Sequence, residues 1–151
     1  MKVSKLLKLH GMLVLTVHPD FTLAEAARRF VKSVGGRRFS LAVVTNHDDQ
    51  VVGVISLGDI AAAVGEHEEK AVHMLVKEVM TTGVISCSLD DNLEDVLVQM
   101  ADKGIRHMPV VEGSKLAGLV ARRDALEFLY QQASLDAAHL TDWLFRSDAR
   151  Y

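Results

Sequence analysis

Gly53-Val54-Ile55-Ser56-Leu57-Gly58-Asp59 returns 65 residues later as Gly118-Leu119-Val120-Ala121-Arg122-Arg123-Asp124. Each copy reads as an apolar strand running into a helix that opens with an acid. Upstream, Leu23, Ala26, Ala27, Phe30 and Val31 share their spacing with Leu93, Val96, Leu97, Met100 and Ala101, 70 positions on, so the offset changes only where loops differ in length. A repeat of this size is too long for a solenoid unit and too short for a comfortable independent domain. It predicts two halves packed about a pseudo-twofold axis, with clefts between them as natural ligand sites.

Working outward, Val14 to Val17 reads as a short strand, and Thr22 with Glu25 forms a capping box that opens a helix with the stripe Leu23, Ala26, Ala27, Phe30, Val31 and Val34. Gly35-Gly36 stops that helix. Phe39 to Thr45 and Gln50 to Ser56 read as strands joined by the polar turn Asn46-His47-Asp48-Asp49, and Asp59 begins a helix through Val64. In the second half Val84 to Ser88 reads as a strand, Asn92 with Asp95 caps a helix from Leu93 to Lys103, and Gly104 stops it. Met108 to Glu112 pairs with Lys115 to Ala121 across Gly113-Ser114, and Asp124 opens a helix to about Gln131.

The expected fold class is α+β: two β-α-β-β-α repeats about a pseudo-twofold axis, plus a C-terminal helix, Leu135 to Phe145, with Leu140, Trp143 and Leu144 on one side. An amphipathic lead-in precedes each repeat, Val3-Ser4-Lys5-Leu6-Leu7 and Val76-Lys77-Glu78-Val79-Met80, and Gly65 to Lys70 reads as an acidic linker. The expected division is a first repeat over 1–66, a second over 67–132 and a helical tail over 133–151.

Composition narrows the function. With 151 residues, 49% of them hydrophobic and 25% charged, the chain can bury a substantial core. A net charge of -3 and 5% aromatic residues argue against nucleic-acid binding, which draws on basic patches and stacking. Cys87 is the only cysteine, which excludes an internal disulfide and a thiolate cluster and fits a reducing compartment. The N-terminus faintly resembles a signal peptide, but Lys8 and His10 interrupt the apolar run, so a cytoplasmic protein is expected. No run reaches the roughly 18 apolar residues of a membrane span.

No nucleophile, base and orienting acid form a recognisable set, and neither a Walker loop nor a Gly-x-Gly-x-x-Gly occurs. The histidines show no i, i+4 pair for a helical metal site, and His67 and His73 among Glu66, Glu68 and Glu69 read as a solvated linker. No catalysis and no catalytic cofactor or metal are therefore expected.

Val76 to Met80, then Gly104-Ile105-Arg106-His107-Met108-Pro109-Val110-Val111, then Gly118 to Asp124 are the residues through which the chain resembles a tandem pair of CBS domains, over residues 3 to 131. The resemblance implies an antiparallel three-stranded sheet with two helices per repeat, two repeats packed through their small sheets, a flat homodimer, and an adenosyl ligand in the clefts. It implies that Ser56 and Asp59 grip a ribose, and the chemistry agrees: an ionised Asp accepts two hydrogen bonds from vicinal hydroxyls, with the Ser hydroxyl beside it. A carboxylate in a first helical turn is also favoured by the helix dipole alone, by roughly 0.3 to 1 kcal/mol.

Asp124 is the second copy, but Ala121 stands where the pattern wants Ser or Thr. The missing hydrogen bond, about 1 kcal/mol, predicts unequal clefts. Arg106 and His107 are implied phosphate contacts, although the matching Phe39-Ser40-Leu41-Ala42 lacks the pair and Arg37 and Arg38 are shifted in register. Arg122 and Arg123 lie near any phosphate in the second cleft or on the surface. Val14, Val84, Ile85, Met108 and Pro109 would line an adenine slot, or serve as plain core.

The expectation is thus a regulatory module that senses an adenine nucleotide or relative (AMP, ADP, ATP, NAD or S-adenosylmethionine), read out by a downstream protein. The alternative is a ligand-free dimerisation scaffold using Trp143 and the tail helix.

Overall fold

The computed structural model describes residues 1–11, 13–32 and 38–148, with side chains as far as Asp142. Val34, Gly35, Gly36, Arg37 and the side chains of Trp143, Leu144 and Phe145 lie outside the described residues. The order is α1 (Val3–His10), β1 (Thr16–Val17), α2 (Leu23–Val31), β2 (Leu41–Thr45), β3 (Val51–Ser56), α3 (Leu57–His67), a 3-10 turn (Glu68–His73), α4 (Val76–Val79), α5 (Leu93–Asp102), β4 (His107–Glu112), β5 (Lys115–Ala121) and α6 (Arg122–Asp148).

The repeat is visible in the local chemistry. Thr22 and Glu25 close the predicted capping box on α2, and the Asn92 side chain accepts the Asp95 N–H on α5. In the first sheet β1 runs parallel to β2 and β2 antiparallel to β3. In the second, β4 and β5 pair antiparallel. The strand expected over Val84 to Ser88 contracts to a parallel bridge of Cys87 with Val110, because Ser88 turns its N–H to the Asp91 carboxylate instead of to a neighbouring strand.

Two further expectations change. α3 continues past Val64 to His67 and passes into the 3-10 turn, so the stretch read as a linker is ordered backbone, ended where Glu68 takes a φ of 52°. The last helix does not stop near Gln131: with no Gly or Pro between Arg122 and Asp148 to break it, the repeat's closing helix and the expected tail helix form one 27-residue α6.

The two halves meet on their pseudo-twofold axis. Val51 N–H donates to Ser114 O at 3.0 Å and, as the symmetric counterpart, Leu116 N–H donates to Asp49 O at 3.1 Å, with Gln50 bridged to Lys115 between them. The cores cross the sequence boundaries. Val3, Leu6 and Leu7 of α1 are buried with Leu93, Met100 and Met108 of the second half, whereas Ala71 and Val76, which lie within the stretch expected to form the second repeat, are buried with Leu23, Phe30 and Ile55 of the first. Backbone bonds fix the exchange: Leu93 N–H to Met1 O at 2.6 Å and Leu23 N–H to Met74 O at 2.8 Å. Ion pairs repeat it on the surface, Lys2 with Asp90 and Lys77 with Asp20, each at 2.8 Å.

The glycines that open the repeated motif exist for this crossing. A Cβ on Gly53 would lie 2.6 Å from Met80 Sδ and 2.9 Å from Thr81 O, and one on Gly118 would lie 2.7 Å from Leu7 Cδ1. A methyl group of Leu7 can swing aside, but the Thr81 carbonyl cannot, since Thr81 N–H is bonded to Val54 O at 2.9 Å. Gly53→Ala is therefore expected to cost about 1 to 3 kcal/mol and Gly118→Ala distinctly less, as measured by urea unfolding of both variants; equal costs would contradict the crossing geometry.

Candidate functional site

At the end of β3 the Ser-x-x-Asp pattern is a closed capping box. Ser56 Oγ accepts the Asp59 N–H at 3.1 Å, and Asp59 Oδ2 accepts the Ser56 N–H at 2.8 Å. Local helix chemistry thus engages both residues. At the equivalent β5–α6 junction Ala121 has no hydroxyl, and Asp124 stands half-buried in the first turn of α6, facing a cavity.

That cavity, of about 300 Å³, lies between the halves. Its floor is the end of α1 with the segment after it (Leu6, Leu7, His10, Gly11 and Leu13), one wall is the entry to β2 (Arg38, Phe39, Ser40 and Leu41), and the other is His107, Leu119, Ala121, Arg123 and Asp124. His10 is held edge-on to Phe128 of α6, ring centroids 5.8 Å apart, which ties the floor to the wall. Carboxylate, imidazole, hydroxyl and guanidinium groups thus share one apolar-walled recess, with Arg38 and Arg123 exposed at its rim.

The predicted residues divide. Asp124, His107 and Arg123 come together, whereas Ser56 and Asp59 sit at the pseudo-equivalent junction of the first half. Arg106 is exposed outside the cavity and its carbonyl accepts the Arg122 N–H at 2.9 Å, so this pair stitches β4 to the start of α6. Met108 is fully buried because it and Val110, on one face of β4, build the second core, while Pro109 is buried on the strand's other face; neither Met108 nor Pro109 lines the cavity. Ile85 packs on that same core, Val84 lines a shallow depression with Val51 and Val111, and half-buried Val14 stands next to Leu13, which does line the cavity.

Sequence reasoning missed the cavity's floor and the Phe39–Leu41 wall. A signal existed in the doubled lead-in and the doubled glycine, which together require each lead-in to lie against the opposite half.

Burial pushes the His107 imidazole below the ordinary histidine value; Asp124 opposes this and Arg106 reinforces it. The folded protein therefore favours neutral His107. As pH falls below about 6.5 the unfolded chain takes up the proton first, so this contribution to stability is complete above that pH, declines below it, and is flat again once the folded-state value is passed. His107→Gln is expected to flatten that part of the profile of unfolding free energy measured from about pH 7.5 to 5.

Cys87 is no nucleophile here: burial, with Asp91 nearby, pushes its thiol up to about 11. A thiol reagent should react with it only on unfolding, and prompt modification of the native protein would contradict this burial. Among the described residues no three His, Cys, Asp or Glu side chains are grouped to hold a metal ion, and no helix is long and apolar enough to cross a membrane.

The family model of the CBS domain matches residues 14–66 and 76–131. An uncharacterized protein of Methanocaldococcus jannaschii is 35% identical over 118 residues, which is 77% of this chain and 36% of that protein. The curated relatives are longer: the chain spans 43%, 36%, 64% and 57% of four of them. Among solved structures, a CBS-domain containing protein from Agrobacterium tumefaciens superposes with a TM-score of 0.72 at 28% identity, covering 83% of this chain and 91% of that one. The CBS domain pair of the protein MJ0100, solved in complex with 5′-methylthioadenosine and S-adenosyl-L-methionine, shares the fold with a TM-score of 0.73 at 22% identity, covering 87% and 98%.

Proposed function

We propose that this chain, which belongs to the CBS domain family, is a regulatory module that binds an adenosine-containing small molecule between its halves and catalyses no reaction. The observation that carries this reading is the cavity at Asp124: its volume of about 300 Å³ is at the lower end of small-molecule sites and suits a nucleoside. Asp124 accepts the two ribose hydroxyls, Ser40 supplies the hydroxyl that Ala121 lacks, and Leu13, Phe39 and Leu119 give the base an apolar slot. Arg38 and Arg123 at the rim meet phosphates or another anionic extension. The adenosyl ligands of the structurally similar MJ0100 pair support the ligand class. Ser56 and Asp59, at the pseudo-equivalent junction of the first half, form a second position.

Binding acts by favouring one arrangement of the halves, or of two chains in a homodimer, to the extent that the ligand's affinity differs between arrangements. A partner protein reads the outcome.

Calorimetric titration with AMP, ADP, ATP, NAD, S-adenosylmethionine and 5′-methylthioadenosine tests the reading. At least one is expected to bind, with the tighter isotherm weakened about tenfold to a hundredfold by Asp124→Asn and little changed by Asp59→Asn. Absence of binding by every adenosyl compound, or indifference to Asp124→Asn in a protein of unchanged melting temperature, would overturn it.

A further inference from the structure

We infer that an anionic ligand enters the Asp124 cavity together with a proton from solvent, which His107 takes up, so that occupancy reports pH as well as ligand. The inference rests on the cavity being a ligand site, as proposed above, and adds the charge class of the ligand and the residue that responds to it.

His107 opens β4 and pairs with Ala121 of β5, which brings no charge of its own. Half-buried, it joins Asp124 and Arg123 of α6 in one wall of the cavity. His10 lies in the floor, packed on Phe128, and Arg38 stands in the other wall at the entry to β2. Arg106, next to His107 in the chain, and Arg122, in the first turn of α6, do not line the cavity.

The floor is an addition to the repeat. Gly118 meets Leu7 where Gly53 meets Met80, so Leu7 and Met80 are counterparts. Val17 and Cys87 are counterparts too, bridged to Val44 and Val110, which pair with Gly53 and Gly118. Three more residues separate Leu7 from Val17 than Met80 from Cys87. They are spent on an added turn: α1 continues past Leu7 to His10, whereas α4 ends at Val79. That turn, with Gly11 and Leu13, encloses the recess that His107 lines.

Within the protein one carboxylate, Asp124, favours the imidazolium form against burial and the Arg106 charge, and burial wins. A ligand phosphate reverses the balance. Arg38 and Arg123 at the rim draw the anion in. Beside the imidazole it supplies a second negative charge and an acceptor for the new N–H, in a recess of about 300 Å³ whose walls limit screening by water. Linkage is reciprocal: an anion that favours the proton is itself bound more tightly as pH falls, between the pH at which His107 titrates in the free protein and that in the complex. An uncharged adenosyl compound such as 5′-methylthioadenosine brings no such charge.

Calorimetric titration of the full chain with AMP, ATP and 5′-methylthioadenosine, in buffers of different ionisation enthalpy, counts the protons. At pH 7 a nucleotide that binds is expected to bring in roughly 0.3 to 1 proton, and its affinity to rise about threefold to tenfold per unit as pH falls from about 8 to 6.5, whereas 5′-methylthioadenosine brings in none and holds its affinity. His107→Gln, its folding checked by circular dichroism, should abolish the uptake at pH 7 and flatten the dependence while leaving 5′-methylthioadenosine unaffected. In the wild type, the assigned His107 ring resonance should move to the imidazolium position on saturation with nucleotide, a reading that needs no variant. Equal proton counts for nucleotide and 5′-methylthioadenosine, uptake that survives His107→Gln, or an unmoved His107 resonance would overturn the inference and leave the adenosyl site standing. Binding by 5′-methylthioadenosine without either nucleotide would do the same. Absence of binding by every adenosyl compound would overturn the site and this inference with it.

Discussion

Everything in this structure depends on the exchange of lead-in segments between the halves. Val3, Leu6 and Leu7 complete the second core and Val76 completes the first, so neither half closes its core without chain from the other side of the molecule. Burying each such side chain contributes roughly 1.5 to 3 kcal/mol, an upper bound because an unfolded chain already hides some apolar surface. The exchange is admitted by two hydrogen atoms: at Gly53 and Gly118 any side chain would occupy space already taken by Met80, Thr81 or Leu7. The glycines that begin the repeated motif are contact points, and their recurrence follows from the symmetry of the crossing.

The same crossing creates the cavity. Because α1 lies on β5, the chain leaving α1 must pass the β5–α6 junction, so that Leu13 in the floor and the entry to β2 as one wall enclose the space beside Asp124. Symmetry in the backbone then coexists with asymmetry in chemistry. Ser56 and Asp59 satisfy each other's backbone groups, whereas Ala121 has no hydroxyl to accept a helix N–H, and Asp124 lines a recess that also contains an imidazole held toward neutrality by burial. A duplicated module of this kind keeps its fold with either chemistry at either junction, since the helix dipole favours a first-turn acid regardless. The two halves are therefore free to specialise without loss of the shared scaffold.

α6 runs from the cavity to an exposed surface. Its first turn carries Asp124 at the cavity, Phe128 anchors it in the second core, and beyond Gln132 the described positions are all exposed. A helix of 27 residues spans about 40 Å at 1.5 Å per residue, so a small tilt at its rooted end displaces its far end by more. Any ligand-dependent change at Asp124 is thereby available at a surface far from the cavity, in proportion to the differential affinity that drives it.

The sequence alone determined what short-range physics encodes. The capping pairs Thr22 with Glu25 and Asn92 with Asp95, the hairpin turns at Asn46 to Asp49 and Gly113-Ser114, the alternation of strand and helix, and the repeat with its pseudo-twofold axis were all legible, because each depends on residues within a few positions of one another or on direct self-similarity. Tertiary structure alone decided which core α1 and α4 enter, that Met108 is core while Leu13 and Phe39 line the cavity, and that Asp124, His107 and Arg123 share that recess with them. The reason is physical: periodicity shows that a face is apolar but carries no record of which apolar face will cover it. That choice is made by whichever long-range packing leaves no void, here the one that threads each lead-in past the glycine of the opposite half.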